Sequence, residues 1–289
     1  MTVVFAGCTN QGLIDGEADV RETEPVKTVA RGASEMEKEE MAALVDRARW
    51  GDAQAYLQLA DRYRQGVGGN KDFLGVMYMS SLAAEHRGIK NRKEYIANLR
   101  NGEFKTYIDI LDTNSDDWKE KNDSILSVLN AMEGADATAL AGVVTIAGGD
   151  TLAGMELIDK SAGQGSTMAR MAKMFKFAKG KEKPDVDSLL RMAEETPLLY
   201  LILVEEYRYK DDEESKRIAA NCCKEAEKHA MLRVSDARWL LGYYRDGGDV
   251  QLTAEDVKRL EAFVLSYSEN KDAVATDPDC GCDTVEVAR

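Results

Sequence analysis

Between Asp52 and Gly88 the apolar positions follow a helical period, break at a run of glycines and then resume. Ala55, Leu59, Ala60 and Tyr63 fall on one face of a helix predicted over Ala53–Gln65. Gly66-Val67-Gly68-Gly69 interrupts it, and Asn70-Lys71-Asp72 supplies capping side chains for a second helix. That helix carries Phe73, Val76, Met77, Ser80, Ala83 and Ala84 at i, i+3, i+4 spacing. Upstream, Met36, Met41, Leu44, Val45 and Ala48 predict a helix over Ala33–Arg49. Ser34 and Glu37 are spaced as a capping box for it. Trp50-Gly51-Asp52 ends this helix and starts the next.

The small residues let two helices approach closely, the tyrosine fills the space between them, and the glycines turn the chain within a few positions. Ala55, Leu59-Ala60, Tyr63, Gly66, Gly68, Asp72 and Ala83-Ala84 with Gly88 resemble the Sel-like repeat, a helix-turn-helix relative of the tetratricopeptide repeat. Ala60 and Gly69 depart from its pattern in minor ways. Weaker copies follow. Gly142 with Gly148-Gly149-Asp150 matches a first helix end and its turn, with Thr145 in the tyrosine place. Lys160-Ser161-Ala162-Gly163-Gln164-Gly165 matches the end of a second helix. Phe175, Tyr207 and Tyr244 (followed by Gly247-Gly248) mark further copies, the last with its register ambiguous by one residue. The spacing sits near the mid-thirties period of such helix pairs.

Between Ile89 and Ala135 the glycine turn is absent, but apolar residues at helical spacing persist, including Tyr107, Ile108, Leu111, Ile125 and Leu129. Two or three helices that keep the superhelix continuous are expected there, the apolar positions being too numerous for a loop, with a divergent insertion as the alternative. The resemblance implies an all-α fold, a right-handed superhelical solenoid of stacked antiparallel helix pairs over residues 33–269, with an irregular unit at 89–135. It also implies a surface that binds proteins or peptides.

Composition narrows the function classes. The net charge of −14 disfavours nucleic-acid binding through phosphates and docking on an anionic membrane through a basic patch. No apolar run approaches the roughly 20 residues of a membrane span. At the N-terminus, Ala6-Gly7-Cys8 after a short apolar run resembles a bacterial lipobox, with Phe5 where leucine is usual. Residues 1–8 are read as the remnant of a lipoprotein signal peptide, with Cys8 lipidated as the only membrane attachment. Residues 9–32 are polar, Gly-rich and acid-rich and are expected to form a flexible tether. Residues 270–289 lose periodicity and are expected to be a disordered tail.

Candidate chemistry is sparse. Cys222-Cys223 lies in a predicted helix, where adjacent side chains point about 100° apart, so one of them is expected in the core. Cys280-Gly281-Cys282 is half a zinc site at most. His86 and His229 fit capping or partial burial. Asp112, Asn114 and Asp116 alternate like calcium-loop ligands, but Asp117 replaces the central glycine and Asp123 the final glutamate. The run Asp211-Asp212-Glu213-Glu214 reads as a capped, solvated helix start. Met168, Met171 and Met174 step along one helix as core filling. No hydrolase elbow, P-loop, dinucleotide fingerprint or zinc-protease motif occurs. Neither a catalytic residue nor a cofactor or metal ligand is assigned.

The function expected is therefore a non-enzymatic interaction scaffold of the bacterial cell envelope, for a protein or peptide partner. Trp50, Trp118, Trp239, Tyr78 and Tyr243 are its candidate anchors. An envelope hydrolase or enzyme accessory with a pocket in the superhelix, and a cytosolic adaptor without a lipid anchor, are the alternatives.

Overall fold

The computed structural model describes residues 35–66, 71–87, 97, 102, 104–111, 118, 120–179 and 186–269. Signal remnant, tether and tail lie outside them, as do Cys8, Gly68, Cys280, Cys282, residues 112–117 and most of 88–103. The described chain is all-helical, with thirteen α-helices and no strand among those residues. In order they are α1 Glu35–Arg49, α2 Ala53–Gln65, α3 Phe73–Arg87, α4 Lys105–Leu111, α5 Asn122–Asn130, α6 Ala135–Ala147 and α7 Thr151–Gly163. Then come α8 Thr167–Lys179, α9 Val186–Glu195, a 3-10 turn Pro197–Leu199, α10 Tyr200–Tyr207, α11 Glu213–Lys228, α12 Val234–Arg245 and α13 Ala254–Glu269.

Local chemistry sets the boundaries. Asp52 caps α2 by accepting hydrogen bonds from the N–H groups of Gln54 (2.8 Å) and Ala55 (3.3 Å). Gly66 ends it at φ 71°, in the left-handed region. Asp72 accepts from Gly75 N–H (2.9 Å) at the start of α3, and Asp212 accepts from Ser215 N–H (2.8 Å) at the start of α11. Asp212 of the acidic run is thus the cap, and Glu213 and Glu214 open the first turn of α11. Trp118 in the irregular segment is buried, and its indole N–H donates to Ile110 O (3.0 Å). Phe104 and Tyr107 pack on Phe73, which joins this segment to the core of the first unit.

Neighbouring helices pack in succession: α2 on α3, α6 on α7, α10 on α11, and α12 on α13. Two close approaches explain the small residues. A methyl added to Gly142 would sit 2.8 Å from Gly154 O, and one on Gly154 would sit 2.6 Å from Gly142 O, so α6 and α7 touch backbone to backbone. A methyl on Gly75 would meet the Tyr63 ring at 2.9 Å, which places Tyr63 in the α2–α3 seam. Tyr63 keeps partial exposure. Tyr63→Ala is accordingly expected to cost about 2–3 kcal/mol, below the roughly 3–5 kcal/mol of a fully buried aromatic. Gly66→Ala should cost about 1–2 kcal/mol for a left-handed residue with a side chain. Urea unfolding followed by circular dichroism measures both; wild-type midpoints would contradict the seam and turn described.

The two ends of the described chain also meet. Helix α1 contacts α11 and α13, and α3 contacts α8 and α13. In an open array each unit touches only its neighbours. Here the first helices lie against the last ones, and polar side chains as well as apolar ones join them. Tyr78 on α3 donates to Met231 O (2.6 Å), just after α11. His86 on α3 lies between the rings of Tyr56 on α2 (5.7 Å between centroids) and Phe263 on α13 (4.6 Å).

Candidate functional site

The residues that carry the repeat pattern are packing and turn elements in this structure. Leu59, Ala83 and Ala84 are buried in the core. Asp72 does more than cap α3: its second oxygen accepts from Thr167 Oγ1 (2.7 Å) at the start of α8. Beside it the buried Asp136 accepts from Phe73 N–H (2.9 Å) and from Ser166 Oγ (2.6 Å). Burial pushes both carboxyls above the usual range. Together they tie the starts of α3, α6 and α8. Gly148 has an ordinary φ of −70° and is small because Asn122 packs on it, where a methyl would lie 2.4 Å from Nδ2. Gly165 (φ 91°) and Gly247 (φ 82°) take the left-handed conformation after α7 and α12, and Ala230 (φ 55°) takes it after α11.

Tyr207 is buried, while Tyr244 is 37% exposed. The turn after α12 puts Tyr243 in register with Thr145, while Gly247 N–H donates to Tyr244 O as Gly66 N–H donates to Tyr63 O. Gly149 N–H donates to Ile146 O and Asp150 N–H to Thr145 O; equally, Gly247 N–H donates to Tyr244 O and Gly248 N–H to Tyr243 O. The ambiguity arose because both residues are tyrosine.

The aromatic anchors divide. Tyr78 and Trp118 are core residues, and Trp50 is 37% exposed. Trp239 and Tyr243 are brought together. They lie one helical turn apart on α12, on the side away from the buried Ala237, Leu240 and Leu241. Their rings stack with centroids 5.5 Å apart and planes 3° from parallel. Gly248 abuts the Tyr243 ring, where a methyl would lie 2.5 Å away, and the Tyr243 hydroxyl accepts from Asp249 N–H (3.2 Å). Tyr243 is therefore held in place before any ligand arrives.

This stack walls an open groove of about 550 Å³ between the start of α11 and the end of α12. Glu213, Lys216 and Asp246 supply its charges, and Gly242, Gly247 and Gly248 leave backbone where side chains would fill it. Lys216 is engaged with Glu213 (3.0 Å). Asp246 makes no ion pair among the described residues. The groove presents aromatic surface, a carboxylate and backbone groups, which is the chemistry of binding. The sequence already held the i, i+4 pair; the opposing wall from α11 had no local signal.

Two further charged clusters are structural. Glu227 on α11 takes a forked pair of bonds from Arg49 (2.8 and 2.9 Å) and another from Arg259 (2.6 and 3.2 Å). Asp236, fully buried at the start of α12, pairs with Arg233 (2.6 Å) and with Arg208. Cys222 and Cys223 are both buried free thiols, not one in and one out as helix geometry predicted, because α11 is covered on two sides. Burial pushes the Cys222 thiol up to about 12, which suppresses its thiolate. Met168, Met171 and Met174 are buried core. His229 is exposed at the end of α11. Among the described residues no group of three or more His, Cys, Asp or Glu could hold a metal, and no helix is long and apolar enough to cross a membrane. No family model matches the chain, and no match was found to a curated protein or to a solved structure.

Proposed function

We propose that this protein is an interaction scaffold in which helix pairs stack in the manner of Sel-like repeats, as a solenoid whose first and last units touch. It recognises a partner polypeptide along the groove beside Trp239 and Tyr243. The observation that carries this reading is the preorganised stack on the wall of an open groove. Aromatic side chains held rigid before binding lose little entropy and bury large area, which is why they dominate interface energetics. The enclosed space near Glu227 is only about 10 Å³ and suits a water molecule at most. The scaffold is placed at the cell envelope by lipidation of Cys8, tested by loss of radiolabelled palmitate incorporation in Cys8→Ser.

A photo-crosslinking amino acid at the exposed Glu213, which lines the groove, tests the scaffold reading in the native host. A discrete polypeptide adduct that disappears with Trp239→Ala is expected. An adduct pattern indifferent to Trp239→Ala, or no adduct, would count against it.

A further inference from the structure

We propose that the groove between α11 and α12 receives an arginine of the partner, its guanidinium lying against Trp239 and forked onto the carboxylate of Asp246. This deepens the scaffold reading and rests on it. Three observations select the occupant.

The first is the wall. A tryptophan face carries negative quadrupole density and attracts a cation more strongly than tyrosine or phenylalanine does. Trp239 is half-buried, with its partner ring already locked against Gly248 and Asp249.

The second is the charge balance. Glu213 and Lys216 neutralise one another across 3.0 Å, which leaves Asp246 as the groove's unbalanced charge. Arg217 lies 3.7 Å from Asp249, and Arg245 lies 2.6 Å from Glu261, so both of these arginines are engaged by other carboxylates. Asp246 also ends α12, where the helix dipole adds further negative potential. Asp211 and Glu214 flank the opposite wall, and the chain as a whole carries −14. An acidic segment would be repelled, and a purely apolar one would leave Asp246 buried without a counter-charge.

The third is shape. Gly242, Gly247 and Gly248 keep the space beside Asp246 free of side chains, so a planar group can reach it. A guanidinium is planar, stacks on aromatic faces and matches a carboxylate with two parallel donors; an ammonium does neither of the last two.

The test uses the full chain with Trp indole nitrogen labelled, the Trp239 signal being assigned by its loss in Trp239→Phe. Four acetylated, amidated Gly/Ser peptides are titrated, carrying two arginines, two lysines, two citrullines or two glutamates. The arginine peptide is expected to shift the Trp239 signal to saturation. The citrulline and lysine peptides should bind about tenfold more weakly, and Asp246→Asn should weaken the arginine peptide by about the same factor. Glu133→Gln, at an exposed acid on the α5–α6 turn, should change nothing.

Equal binding of citrulline or lysine would overturn the proposal. So would equal weakening by Glu133→Gln, which would mean diffuse attraction to an acidic protein, or saturation that leaves the Trp239 signal unmoved. The crosslink separates the two levels. An adduct lost with Trp239→Ala alongside a failed arginine titration keeps the scaffold and removes the arginine; absence of both removes both. Circular dichroism melts of each variant confirm that the exposed substitutions leave the fold intact.

Discussion

Glu227→Ala is expected to lower the unfolding free energy by about 3–5 kcal/mol, measured by urea denaturation at pH 7. Glu227 is 8% exposed and Arg259 is 6% exposed, so the pair sits outside the range where solvent screens a salt bridge to near nothing. Removing the carboxylate takes the forked partner from two guanidiniums at a junction of three helices, Arg49 of α1 and Arg259 of α13 meeting Glu227 of α11, and leaves Arg259 with Asp256 alone. Burial alone would raise the Asp256 carboxyl, but Thr253 and Arg259 hold it down to about 2, so it stays charged beside Arg259. For Arg49 the remaining carboxylate is Asp46, 4.0 Å away and largely exposed, a weak substitute for the lost fork. Replacing the three charged residues together by apolar ones, Arg49→Met, Glu227→Leu and Arg259→Met, should recover most of the loss, because the penalty arises from unpaired buried charge. A loss below about 1 kcal/mol for Glu227→Ala would show that the junction behaves as a surface ion pair.

Between pH 7 and pH 4 the protein should lose about 3 kcal/mol through His86 alone. Burial pushes His86 down from 6.5 to about 4. The Ser266 hydroxyl donates to Phe263 O (2.7 Å), so it accepts from His86 Nδ1 (2.8 Å), which fixes the neutral tautomer with its proton on Nδ1. The sign follows from proton counting. Below pH 6.5 the unfolded chain takes up a proton that the folded chain refuses until about pH 4. The stabilisation is therefore complete above the unfolded value and disappears as pH falls through that window. Asp72 and Asp136 run the other way: their raised folded values give a contribution that is full below the unfolded value of 3.8 and is lost as pH rises through the folded ones. The wild-type curve mixes these trends. The measurement is thus the stability difference between wild type and His86→Phe, both of which keep the two carboxyls. That difference should move by about 3 kcal/mol in favour of the variant on going from pH 7 to pH 4; a constant difference would refute a buried neutral histidine.

Both predictions concern the place where the first and last described helices join, and this place was the least legible in the sequence. Arg49 and Glu227 lie 178 residues apart. His86 and Ser266 lie 180 apart. Nothing local marks an arginine as the future partner of a particular glutamate. Asp256 and Arg259, or Arg233 and Asp236, are only three residues apart, but spacing alone does not reveal that Asp236 is fully buried. Cys222 and Cys223 teach the same lesson. One helical face predicts one buried cysteine, and only the packing of α11 on two sides buries both.

What the sequence determined by itself was the helical class and, at α2, where a helix begins and ends. The expected span Ala53–Gln65 is the observed one, with Asp52 capping it and Gly66 closing it in the left-handed conformation. These features are local: a cap, a turn and an apolar stripe act within a few residues, so their chemistry is written where it operates. The tertiary structure alone decided that the first described helices meet the last and that Trp239 and Tyr243 line an open groove. Each of these depends on which distant surface arrives opposite a given side chain. Burial and charge pairing are set by that arrival, and a sequence pattern specifies only the side that waits for it.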